Sequence, residues 1–193
     1  MAQKTIGLLF GSFNPIHNGH LTMALDVADT YPEIDEIWFV VSPQNPDKLN
    51  NKMLHEDHRF KMVELAVRPH KKLNASNIEF NLPRPSFTIK TLEKLKKEYP
   101  ENKFVLIFGS DVINNLPKWE SYEEICEFPI IGLVRDEETI LPELQEAIMD
   151  LKLFNSRVIL SSTQVRELLE GKQPIDRLLP DEVIKYIEDN KLF

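Results

Sequence analysis

Two histidines three residues apart, His17 and His20, stand in the run Phe10-Gly11-Ser12-Phe13-Asn14-Pro15-Ile16-His17-Asn18-Gly19-His20. The apolar run Ile6–Phe10 precedes it and reads as a buried strand. Leu21, Ala24, Leu25 and Ala28 follow at helical spacing. The histidines therefore belong to a strand–loop–helix junction rich in glycine and proline. The free N–H groups and positive dipole end of such a helix start attract anions, phosphates above all, and residues three apart there can face the same anion. Taken singly, a His-x-x-His pair is equally a solvated surface feature or half of a zinc site. The common phosphate loops, Gly-x-x-x-x-Gly-Lys-Ser/Thr and Gly-x-Gly-x-x-Gly, are absent.

A second run of the same chemical kind is Ser161-Ser162-Thr163-Gln164-Val165-Arg166. One of its serines can cap a helix. Three hydroxyls in a row with Arg166 three residues beyond Thr163 exceed what a cap requires, and they suit a second phosphate-binding helix start. Gly109-Ser110-Asp111 ends the most apolar run of the chain, with Asp111 placed to cap the next helix, to touch a ligand, or both. Leu116-Pro117-Lys118-Trp119 carries a tryptophan in polar company, whose flat face can stack on a heterocycle. Of the two tryptophans, Trp38, inside a strand-like run, is the better core candidate. His55 and His58 read as a solvated helix start rather than a metal pair.

These positions need elements to hold them. Strands are expected at Ile6–Phe10, Glu36–Val41, Phe104–Phe108, Pro129–Val134 and Arg157–Leu160, and Ile78, Phe80 and Leu82 alternate like a half-exposed strand. Helices are expected from about Leu54 to Val67, through Ile89, Leu92 and Leu95 up to Pro100, and over Thr163–Glu170 and Asp181–Asn190, the last with Pro180 at its start. Alternating strands and helices imply an α/β fold with one doubly wound, mainly parallel sheet and helices at the carboxyl end of the chain. Ligands bind such sheets beyond the carboxyl ends of the strands. Gly11–His20, Ser42–Lys48, Gly109–Asp111 and Ser161–Arg166 should meet along that edge. The acidic, proline-bearing stretch Asp136–Pro142 reads as a surface loop.

The 193 residues fit one domain, residues 1–193. A net charge of −8 argues against a polyanion such as nucleic acid, or an anionic membrane surface, as partner. It leaves room for small phosphorylated ligands. The lone Cys126, with Ile125, Glu127 and Phe128 as neighbours, reads as a packing residue and suits a reducing compartment. Neither a basic-then-apolar leader nor an apolar run of membrane-spanning length stands out, and a cytoplasmic protein is expected.

The Gly11–His20 run resembles the HxGH signature of the nucleotidyltransferase superfamily, and Ser161–Arg166 resembles the Ser-Ser-Thr-x-x-Arg run of its adenylyl-transferring members. Phe104–Asp111 with Leu116–Trp119, Pro85-Ser86-Phe87-Thr88, and the stretch from Leu178 to Asn190 resemble bacterial nicotinic acid mononucleotide adenylyltransferases, so the likeness spans the chain. It implies a Rossmann-like nucleotidyltransferase fold and transfer of AMP from ATP to nicotinic acid mononucleotide, with nicotinic acid adenine dinucleotide and pyrophosphate as products. The implied catalytic residues are His17, His20, Lys48 and Arg166. Gly11, Ser12, Phe13, Gly109, Asp111, Ser162 and Thr163 would bind ATP, and Thr88 and Trp119 the mononucleotide. Mg²⁺ would be held mainly by the ATP phosphates, with no dedicated protein metal site. Homo-oligomerisation stays open. Asn45-Pro46-Asp47-Lys48 departs from the family's Pro-Pro-His-Lys/Arg, and Lys90 from its usual acidic residue, so Asp47 and Lys90 receive no role. Phosphopantetheine adenylyltransferases share both signatures but are shorter and lack Pro-Lys-Trp. Nicotinamide mononucleotide as acceptor, and a non-catalytic nucleotide sensor, are the other readings.

Overall fold

In each of the first strands, alternate side chains serve opposite faces of a sheet that is covered on both. In β1 (Thr5–Gly11), Ile6 and Leu8 enter one apolar cluster and Leu9 the other; in β2 (Glu36–Val41), Val40 opposes Ile37, Phe39 and Val41 in the same way. Burial on both faces is why these strands read as nearly continuous apolar runs. The computed structural model describes residues 3–44, 53–134, 139–155 and 160–193.

Six parallel strands form one sheet in the order β3-β2-β1-β4-β5-β6, with β3 at Leu73–Ser76, β4 at Lys103–Gly109, β5 at Ile130–Val134 and β6 at Leu151–Asn155. The chain leaves β1 in one direction and returns beside it as β4, so the order switches between these two strands. Because all strands run parallel, their carboxyl ends, Gly11, Val41 and Gly109 among them, lie at one edge. One face is covered by α1 (Asn18–Thr30), α2 (Glu56–Val67), α7 (Ser162–Glu170) and α8 (Asp181–Asn190), the other by α3 (Thr88–Glu98), α4 (Ser110–Asn115), α5 (Tyr122–Cys126) and α6 (Pro142–Ala147). Among the described residues no helix is long and apolar enough to cross a membrane.

The structure corrects the expectations in several places. Ile78–Asn81 is a 3-10 turn, closed by Phe80 N–H to Asn77 O and Leu82 N–H to Glu79 O, and the strand lies earlier, at Leu73–Ser76. The apparent alternation misled because Glu79, the polar residue in its middle, is itself buried and accepts from Thr91 Oγ1 at 2.9 Å. The expected strand at Arg157–Leu160 lies largely outside the described residues; Leu160 is not in a strand, and the edge strand found is β6. Of the stretch Asp136–Pro142, residues 136–138 also lie outside them, and Pro142 opens α6. The short helices α4, α5 and α6, of five or six residues, show no period to read. Trp38 is half-buried rather than core, its indole N–H donating to Glu36 and its ring edge-on to Tyr99 at 5.1 Å. Cys126 is buried as expected, and burial pushes its thiol pKa up.

Candidate active site

The turn after β1 is built around Phe13. Its backbone is left-handed, with φ 45°, in a residue that is neither glycine nor asparagine. Its ring folds back over Gly11, where a Cβ would lie 2.7 Å from it, so the missing side chain at Gly11 makes room for Phe13. The ring packs against Phe39 at 5.5 Å and edge-on against His20 at 5.1 Å. His17 and His20 stack with centroids 3.6 Å apart and planes 22° from parallel. His17 is the buried N-cap of α1, and its N–H donates to His20 Nδ1 at 3.3 Å. With Nδ1 accepting, the neutral His20 ring carries its proton on Nε2. Both imidazoles are thus locked at the first turn of a helix whose dipole favours anions.

The start of α7 docks on this turn. Ser161 is its N-cap and forms a reciprocal capping box with Gln164, which accounts for one hydroxyl of the run. Ser162 Oγ donates to Pro15 O at 3.0 Å. Arg166 Nη1 donates to Asn14 O at 2.8 Å while its Nη2 donates to Thr163 Oγ1 at 3.1 Å. A guanidinium 149 positions beyond His17 in the chain (166 less 17) is thereby held on the loop that carries the histidines. From the carboxyl-terminal side, Asn18 donates its N–H to Leu178 O and its side-chain amide to Arg177 O, both at 2.8 Å.

The other expected positions border the same edge. Ser42 N–H donates to Gly11 O, and Ser86 N–H to Gln44 O, both at 2.9 Å, which ties the start of α3, with half-buried Thr88 as its first residue, to the turn after β2. Gly109 is the N-cap of α4, where any side chain would run into the Asp111 carboxylate. Asp111 caps nothing; it is exposed in the first turn, where its charge complements the helix dipole. Trp119 is half-buried, edge-on to Phe108 at 5.7 Å, so one part of its ring is packed and the rest remains accessible. Ser12 is buried and its Oγ has no hydrogen-bond partner among the described residues. Lys48 lies outside the described residues. His55 is exposed at the start of α2, and His58 bonds Tyr186 of α8 at 2.9 Å, so that pair is structural. Lys90 pairs with Glu93 on its own helix.

Arg59 was not among the expected residues. It is 1% exposed, and its guanidinium donates to the carbonyls of Ser12 at 2.5 Å, Ser42 at 2.7 Å, Pro43 at 2.9 Å and Leu54 at 2.9 Å. Desolvation lowers its pKa to about 10, which leaves it charged at neutral pH. The sequence does contain a signal: Arg59, Met62, Val63 and Ala66 share the buried stripe of α2 at spacing i, i+3, i+4, i+7. An arginine in that phase must satisfy its donors inside.

Residues 8–168 match the cytidylyltransferase-like family. A probable nicotinate-nucleotide adenylyltransferase of Cytophaga hutchinsonii is 39% identical over 189 residues, covering 97% of each chain, and the nicotinate-nucleotide adenylyltransferase of Bacillus subtilis is 36% identical over 194 residues, covering 98% of each. Among solved structures, a Plasmodium falciparum nicotinic acid mononucleotide adenylyltransferase complexed with NaAD superimposes with a TM-score of 0.82 over 98% of this chain and 97% of that one. At 21% sequence identity that match speaks for the fold alone. The full-length likeness, on a sheet whose switch point carries the histidine loop, makes this chain a member of the cytidylyltransferase-like family and, within it, of the nicotinate-nucleotide adenylyltransferases.

Proposed function

We infer that the protein transfers AMP from ATP to nicotinic acid mononucleotide, releasing pyrophosphate and forming nicotinic acid adenine dinucleotide. The observation that carries this reading is the docking of Arg166 and Ser162 on the Asn14–Pro15 loop, which sets two anion-favouring helix starts side by side at the sheet's switch point. A triphosphate fits between two such starts.

An oxygen of the acceptor's 5′-phosphate attacks the α-phosphorus of ATP in line, the bond from that phosphorus to the bridging oxygen breaks, and the electron pair leaves with pyrophosphate. The nucleophile is already an anion, so no covalent intermediate with the protein is needed. The work is positioning and charge neutralisation. In this reading His20, with its proton on Nε2, and His17 contact the transferring and leaving phosphates, and Lys48 and Arg166 supply positive charge. Ser162, Thr163 and the backbone of Gly11, Ser12 and Phe13 hold the triphosphate, with Gly109 and Asp111 at the nucleoside side. Thr88 and the accessible part of Trp119 receive the pyridine mononucleotide. Mg²⁺ would arrive with ATP, held mainly by phosphate and water ligands, where it would offset phosphate charge. We place the enzyme in the cytoplasm, in keeping with its single buried thiol.

The test is pyrophosphate release with ATP and either nicotinic acid or nicotinamide mononucleotide, compared by kcat/KM. The acid form should be preferred. Release with neither acceptor would overturn the assignment and favour a nucleotide-binding sensor.

A further inference from the structure

Arg59 is the most deeply buried cation described, and no carboxylate lies within ion-pair distance of it among the described residues. Glu56, whose field it feels, is paired with Arg84. Burying a charge without a counter-ion is unfavourable unless hydrogen bonds compensate it. The guanidinium, with five N–H groups, makes four hydrogen bonds here, all to carbonyls, drawn from three segments that are distant in sequence: the turn after β1, the turn after β2 and the approach to α2.

The consequence follows from peptide geometry. In a trans peptide the C=O and the following N–H point in opposite directions. The bonds Ser12–Phe13 and Pro43–Gln44 are trans, the described cis bonds being Asn14–Pro15 and Arg84–Pro85. Drawing Ser12 O and Pro43 O onto Arg59 therefore turns the N–H groups of Phe13 and Gln44 away from the core. Among the described residues neither N–H donates to a protein acceptor. We propose that Arg59 is a positioning residue for the phosphate site, gathering the carbonyls of the two turns so that their N–H ends and its own positive charge are presented to the bound polyphosphate. The proposal rests on the adenylyl-transfer reading and extends it to a residue that touches no substrate.

Arg59→Lys keeps the charge but loses the fork, and Arg59→Gln loses the charge and keeps some donors. With folding verified by near-ultraviolet circular dichroism, Arg59→Lys should lose tenfold or more in kcat with little change in the KM for ATP, and Arg59→Gln should lose kcat and raise that KM together. A variant that melts lower yet keeps kcat within twofold of wild type would reduce Arg59 to a structural tie and overturn the proposal. Should neither variant fold, the wild-type protein decides: titration with inorganic pyrophosphate, followed by amide ¹⁵N–¹H spectra, should shift Phe13 and Gln44. Shifts at the His17 and His20 backbone amides with none at these two would overturn the role of Arg59 alone. No shift anywhere would remove the nucleotide reading and this proposal with it.

Discussion

His20 is held from three directions: the edge of Phe13, the stacked ring of His17, and the N–H of His17 on Nδ1. Such restraint suits a donor that must already be aimed when charge develops on the leaving phosphate, since a preorganised donor loses nothing to reorientation during reaction. His20→Ala should lower kcat by about a hundredfold, close to 3 kcal/mol, with little change in the KM for the mononucleotide; steady-state pyrophosphate release measures both, and a near-normal kcat removes His20 from the chemistry. Trp119 is proposed for binding instead. Its ring is braced by Phe108 and otherwise accessible, so Trp119→Ala should raise the KM for nicotinic acid mononucleotide about tenfold, the equivalent of roughly 1.4 kcal/mol of stacking and buried area, while kcat at saturation stays near wild type. A change confined to the KM for ATP would reassign it.

At the scale of elements, α7 is both a helix start and a clamp, and the two jobs fall to different residues. Ser161 caps; Ser162 and Arg166 hold the histidine loop. Ser161→Ala should therefore cost stability, about 1 kcal/mol, seen as a fall of roughly 2–4 °C in Tm, with kcat largely kept. An unchanged melting curve would mean that docking on Asn14 and Pro15 alone holds the helix. The division was half legible in the chain. Serine before a helical period announces a cap, and the surplus of hydroxyls with an arginine announces something more. Nothing in the linear order says that the surplus closes on Asn14. The 3-10 turn at Ile78–Asn81 shows the opposite failure, where an apparent strand period came from a buried glutamate that pattern reading counts as surface.

For the molecule as a whole, Glu79 and Arg59 are buried ionisable groups with no ion-pair partner among the described residues, and both lie under the turn after β2. Burial raises the Glu79 pKa, opposed in part by hydrogen bonding from Thr91. The folded state thus holds a proton that the unfolded chain releases near its ordinary value of about 4.3. Between that pH and the raised folded value the native state binds more protons than the unfolded one, so this group makes stability fall as pH rises through the window. Glu79→Gln should remove that component: urea unfolding from pH 4.5 to 7.5 should show a flatter profile than wild type, with the variant's relative advantage largest at the alkaline end. Parallel profiles would show that Glu79 titrates alike in both states.

The sequence by itself determined the strand–helix alternation, the two helix starts with their histidines, hydroxyls and arginine, and the edge of the sheet at which they had to gather. These depend on hydrophobic period and local residue chemistry, which are properties of short windows. The tertiary structure alone decided that Arg166 closes on the carbonyl of Asn14, that the bareness of Gly11 accommodates the Phe13 ring, and that Arg59 collects carbonyls from three separate segments. Each of these joins residues far apart in the chain or sets a side chain against backbone. Hydrogen-bond satisfaction in a buried space is a property of the packed whole, and no window of sequence contains it.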